Sequence, residues 1–96
     1  MNLLPGTIQY TSDGVVGTSG KPIRIFSVVV HSAGAGASTP VFCNGTDNTT
    51  AWFRVDGIAD QDVIVNFAGG IRFPNGCYID TDGNLEYATV TFTQEF

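Results

Sequence analysis

The sequence predicts an all-β fold, an antiparallel β-sandwich or jelly roll of about eight short strands, on three observations. No window carries apolar residues at i, i+3, i+4 and i+7 with charge on the opposite side, so helix periodicity is absent. Thr, Val, Ile and Phe fill short runs that suit strands. Five Asx-Gly pairs punctuate those runs, at Asp13-Gly14, Asn44-Gly45, Asp56-Gly57, Asn75-Gly76 and Asp82-Gly83. Such pairs supply the positive φ angles that tight turns need, and short strands between frequent turns read as a sandwich.

Taken in order, residues 7–11 and 15–18 are short strands joined at Asp13-Gly14. Residues 22–31 form the strongest strand. Strict alternation gives it the faces Ile23, Ile25, Ser27, Val29 and Arg24, Phe26, Val28, Val30, both largely apolar, which predicts a strand that is central or covered on both sides. Residues 32–39 are a Gly/Ala/Ser stretch with little to pack, read as a mobile loop. Residues 41–43 and 51–56 follow as strands. Residues 62–67 set Val63, Val65 and Phe67 on one face. Residues 71–79 are interrupted at Phe73-Pro74-Asn75-Gly76, where proline removes a ladder donor and forces a bend or an edge. The last strand is the cleanest, with Ala88, Val90 and Phe92 on one face and Tyr87, Thr89, Thr91 and Thr93 on the other. A hairpin around Thr81-Asp82-Gly83-Asn84 joins it to residues 77–79. With no internal repeat or linker, residues 1–96 read as one domain, in which residues 1–20 serve as an arm or as edge strands.

Composition excludes several classes. Hydrophobic residues make up 43% of the chain and charged residues 14%, against about 25% charged in ordinary proteins, so disorder is excluded. No apolar run approaches the roughly 20 residues of a membrane helix. Four basic residues, Lys21, Arg24, Arg54 and Arg72, face nine acidic ones. They form no stripe to track phosphates, which argues against nucleic acid, and the net charge of −5 argues against an anionic membrane surface. The amino end, Met1-Asn2-Leu3-Leu4-Pro5-Gly6, has neither the basic nor the long apolar region of a secretory signal. The cysteine pair, Cys43 and Cys77, reads either as a disulfide or as two reduced, buried small hydrophobes. The second suits a chain without an export signal.

The search for chemistry yields no catalytic, cofactor-binding or metal-ligating assignment. His31 is the single histidine. Ser27 and Ser32 are near it, but no nucleophile elbow is present, so His31 reads as a residue at a loop edge. Two distant cysteines and one histidine do not make a zinc site. Asp80-Thr81-Asp82-Gly83-Asn84-Leu85-Glu86 resembles a calcium loop superficially, but the glycine stands at the fourth position and Thr91 occupies the twelfth; it reads as a turn with solvated acids. Trp52 and Tyr78 are the aromatic candidates for a sugar or protein contact, with burial of Trp52 in the core the competing reading.

Four segments together carry a resemblance: Lys21-Pro22-Ile23-Arg24-Ile25-Phe26-Ser27-Val28-Val29-Val30, Trp52-Phe53-Arg54-Val55, Gly69-Gly70-Ile71-Arg72-Phe73-Pro74-Asn75-Gly76-Cys77-Tyr78 and Ala88-Thr89-Val90-Thr91-Phe92. From Lys21 onward the chain resembles small β-rich virion structural proteins of tailed bacteriophages, those of marine bacteria in particular. The likeness is one of texture and rests on no diagnostic motif. It implies a non-enzymatic capsid decoration or cement subunit that binds the major capsid protein or other virion proteins. Such a subunit is assembled in the host cytoplasm and resident in the virion. The expected state is a homo-oligomer, in the first instance a trimer, with Met1–Gly6 and Phe96 as adhesive ends. The competing classes are a tail- or fibre-associated or glycan-binding module using Trp52 and Tyr78, and a hydrolase using His31 or the acids near Asp80.

Overall fold

The computed structural model describes residues 3–96. Its eight strands are β1 (Leu3–Tyr10), β2 (Gly14–Val16), β3 (Ile23–Ser32), β4 (Val41–Asn44), β5 (Ala51–Arg54), β6 (Asp62–Phe73), β7 (Cys77–Asp80) and β8 (Leu85–Glu95). They form two four-stranded sheets with the orders β1-β8-β3-β6 and β2-β7-β4-β5, and every strand pairing is antiparallel. The fold is thus the predicted β-sandwich, and its strand order is that of a jelly roll. Each strand of the first half pairs with its mirror in the second half: Leu3 opposite Glu95, Gly14 opposite Ile79, Ile23 opposite Phe73, Val41 opposite Arg54. The chain is one long hairpin, its tip at residues 45–50, rolled so that alternate pairs fall in alternate sheets.

Only β4–β5 is a hairpin between consecutive strands. The junction at Asp13-Gly14 joins two short strands as expected but carries the chain from one sheet to the other, and so does the segment around Asp82-Gly83, expected to be a hairpin. Of the five Asx-Gly pairs only those of Gly45 and Gly76 place glycine at positive φ. The bend at Pro74 is real, and there too the chain changes sheets.

The core follows from alternation. β8 sends Ala88, Val90 and Phe92 inward and keeps its threonines outward, as predicted. β3 is central, but its phase differs from simple alternation. Ile23, Ile25, Val28 and Val30 are all buried, because the register slips between Ile25 and Ser27 against both neighbours. A bulge at Phe26 reverses which parity faces the core. Its outer face, Arg24, Phe26, Ser27, Val29 and His31, is therefore mixed rather than apolar. Across from the bulge, Ile25 pairs with Ile71 and Ser27 with Asn66, so residues 67–70 loop out of the ladder. Gly69 and Gly70, expected to lie between strands, sit in this irregularity within β6, both at φ 77°, a conformation glycine adopts without strain. From the second sheet Val16, Phe42, Cys77 and Ile79 complete the buried cluster. Aromatic rings close the side between β5 and β6: Phe53 packs on Phe42, Phe67 and Phe73, and Trp52 stacks on Phe73 at 5.0 Å.

The connections are held by buried polar groups rather than by turn type. Gln94 continues the inward face of β8 and is almost fully buried. Its Oε1 accepts the Thr18 amide at 2.7 Å, and its Nε2 donates to the Pro22 carbonyl at 2.8 Å and the Lys21 carbonyl at 3.3 Å, tying residues 17–22 to the end of the sandwich. Replacing it takes their side-chain partner from the Thr18 amide and the Lys21 carbonyl, while the Pro22 carbonyl keeps the Glu95 amide at 2.9 Å. We expect Gln94→Ala to lose about 1–3 kcal/mol in urea-induced unfolding followed by tryptophan fluorescence; an unchanged midpoint would contradict this role for Gln94.

Candidate interaction surface

The jelly roll leaves two open flanks, because its edge strands are β1 and β2 on one side and β6 and β5 on the other. The exposed large apolar side chains gather on them. Leu3, Leu4, Ile8 and Phe96 belong to β1 and the carboxyl end; Trp52, Ile58 and Ile64 belong to β5, the segment after it, and β6. On the first flank β2 is only three residues long and does not cover the inner side of β1. A shallow cleft of about 270 Å³ results, walled by Leu4, Gly6, Ile8, Phe92 and Phe96. The residues expected to form an apolar arm are in part this strand: Leu3 to Gly6 pair with Phe92 to Glu95. Met1 and Asn2, the rest of that expected arm, lie outside the described residues.

His31 stands on the outer face of the first sheet, at the centre of a polar row. Its Nδ1 is 2.7 Å from Asp62 Oδ1 and its Nε2 is 3.3 Å from Glu86 Oε2. The ring stacks on Tyr87 at 5.0 Å, and the Tyr87 hydroxyl donates to the same Asp62 oxygen at 3.1 Å. That hydrogen bond, with burial and the nearby carboxylates, raises the Tyr87 pKa. Sequence separation hid this group, since Asp62 is 31 residues from His31; only strand register makes Asp62, His31 and Tyr87 neighbours. The two candidate nucleophiles are not part of it. Ser32 is fully buried, its Oγ accepting the Ser38 amide at 2.9 Å, and Ser27 lies beside Asn66 and Thr91. The two carboxylates lie at opposite nitrogens of the ring, so they do not converge on one point. Among the described residues no cluster of three or more His, Cys, Asp or Glu side chains has the arrangement of a metal site.

In the acidic segment Asp82 and Glu86 are exposed, as expected of a turn, but Asp82 also acts as a clamp. Asp82 Oδ1 accepts from the Ser38 hydroxyl and the Asn84 amide, and Oδ2 from the amide and hydroxyl of Thr39. With Asn84 Nδ2 donating to the Ala37 carbonyl and the Ala33 backbone amide to the Asn84 carbonyl, the Gly/Ala stretch expected to be a mobile loop is fastened at both ends. Burial opposes ionisation of Asp82, but the bonds from Thr39, Ser38 and Asn84 outweigh it and hold the carboxyl below its usual value of 3.8. Asp13 makes a similar tie, accepting from the Thr81 hydroxyl and amide, both at 2.6 Å, and these bonds lower its pKa.

Trp52 is 45% exposed, with one side of its indole packed on Phe73. Tyr78 stands on β7, opposite Cys43, and no ring contact joins it to Trp52. The cysteines are free and buried. Cys43 is in register with Tyr78 and Cys77 with Asn44, so the thiols leave opposite faces of the sheet. Burial pushes Cys77 up to about 12 and also raises Cys43. Comparison with models of known protein families, with curated proteins and with solved structures finds no match to this chain.

Two expectations follow from these groups. The lowered pKa of Asp82 contributes stability that is full above the unfolded carboxyl value and disappears as pH falls through the folded one. Thermal unfolding of the wild type should therefore weaken as pH drops below about 4. Asp82→Ala should lose about 1 kcal/mol at pH 7 and show a shallower acid dependence; parallel pH profiles for the two proteins would exclude the clamp. Both thiols should resist an aromatic disulfide reagent at pH 8 and react only when the protein unfolds, because the thiolate is the reactive form; rapid labelling of the native state would contradict their burial.

Proposed function

We propose that this chain is a non-enzymatic structural subunit of a tailed-bacteriophage particle, most concretely a head decoration or cement protein that binds the major capsid protein. A fold by itself does not assign a function, since jelly rolls serve both capsid and lectin roles. The observation that carries the reading is the placing of exposed apolar side chains on two opposite flanks of a sparsely charged sandwich, Leu3, Leu4, Ile8 and Phe96 on one and Trp52, Ile58 and Ile64 on the other. A subunit that cements a lattice has to hold more than one neighbour, each through a contact of roughly 1,000 Å² or more. Two adhesive flanks on one rigid body meet that requirement, and a body only 17 Å across its shortest axis lies flat on a shell. In this reading the subunit is made in the host cytoplasm, self-associates and resides in the virion.

A second reading, a tail- or fibre-associated or glycan-binding module, is favoured by one observation. Half-exposed Trp52, backed by Phe73, offers an open ring face of the kind that stacks on sugars.

Cosedimentation separates the two. The purified chain should pellet with heads assembled from the major capsid protein encoded in the same genome, and Leu4→Lys combined with Ile64→Lys should reduce the bound fraction at least tenfold. A chain that stays in the supernatant while binding a glycan array through Trp52, with loss in Trp52→Ala, would favour the module instead.

A further inference from the structure

We propose that two copies of this chain join β6 to β6 across a two-fold axis at Ile64, merging their β1-β8-β3-β6 sheets into one. The inference is independent of the particle reading. A strand edge presents unpaired backbone N–H and C=O groups, and proteins that stay monomeric blunt such edges with proline, lysine, β-bulges or short length. Three of the four edges here are blunted: β1 carries Pro5, and β2 and β5 have three and four residues. The fourth, β6, pairs only with β3 and contains neither proline nor lysine, and the irregularity in its twelve residues is confined to residues 67–70.

Its regular portion is Asp62 to Asn66, which pairs in unbroken register with His31 to Ser27 before residues 67–70 leave the ladder. That portion is five residues centred on Ile64, and this selects a second copy as the occupant. With antiparallel pairing about Ile64, Asp62 of one copy stands opposite Asn66 of the other, and Val63 opposite Val65. Ile64, which is 64% exposed, meets its own copy. No like charges oppose each other. Directly opposed side chains have their Cβ atoms about 4.5–5.5 Å apart, within reach of a hydrogen bond between the Asn66 amide and the Asp62 carboxylate. Asp62 is held ready for it: Oδ1 is engaged by His31 and Tyr87, while Oδ2 takes no hydrogen bond among the described residues, and neither does the Asn66 side chain. Trp52 and Ile58, exposed on the same flank, extend the contact beyond the ladder. An isologous contact of this kind closes on itself as a dimer, where the sequence led to the expectation of a trimer.

Sedimentation equilibrium over a concentration series tests this. The wild type should approach twice its 10.2 kDa mass reversibly, and Ile64→Lys, which sets two ammonium groups face to face, should weaken dimerisation at least tenfold with an unchanged circular dichroism spectrum. Ile64→Cys should oxidise to a covalent dimer, whereas Thr7→Cys on β1 should not. A wild type that remains monomeric, forms trimers or open polymers, or dimerises undiminished in Ile64→Lys would overturn the proposal. So would a dimer lost in Leu4→Lys and kept in Ile64→Lys.

Discussion

The constraint on which this structure depends is the pairing of each strand in the first half of the chain with its mirror in the second. β1 needs β8, β2 needs β7 and β3 needs β6, and only β4 and β5 close locally. The backbone donors and acceptors of the interior are satisfied across most of the length of the chain, so no half can bury its apolar face alone. Such non-local pairing pays loop-closure entropy before contacts reward it, which places the fold among slow-folding topologies. It also explains why the ends of the described chain lie side by side, with Leu3 opposite Glu95.

Once the hairpin is rolled, its crossings become the vulnerable points; several are secured by polar side chains, and the one from β5 to β6 by backbone bonds to residues 32, 38 and 40. Gln94 holds residues 17–22, Asp82 holds residues 38 and 39, and Asp13 holds Thr81. Among the described residues no buried side-chain polar atom lacks a hydrogen-bond partner, so these ties are not offset by unmet polar groups nearby. Carboxylates also serve as acceptors for backbone and hydroxyl donors, and the Arg72–Glu95 pair reaches across β3 to join β6 to β8.

The outer surface divides into a polar face and two greasy flanks. The row Asp62, His31 and Tyr87, with Glu86 beside it, brings titratable groups together on the outer face of the first sheet. Its partners are all internal to the row, and it lies outside the hollow beside β1 and the one formed by Leu3, Arg24, Phe26, Thr93 and Glu95. The flanks, by contrast, are where the rolled sheet ends and where apolar side chains have no cover. That contrast is the one on which the proposed contact with other chains rests.

How much of this could be read from residues alone is clear element by element. Alternation in residues 87–93 and 63–67 fixed which side chains face inward, because a half-buried strand has a period of two whatever its partners are. The abundance of β-formers and the lack of helix periodicity determined the class. Alternation failed at β3, since nothing local to Ile25-Phe26-Ser27 marks the bulge; it arises where the β3 and β6 ladders no longer match, opposite Gly69 and Gly70. The Asx-Gly pairs marked where strands end but not which sheet comes next, because a turn residue carries no information about a partner tens of residues away. The same holds for the surface: the sequence contained Asp62, His31, Tyr87 and Ile64, but only strand register made three of them a cluster and left the fourth on an open edge.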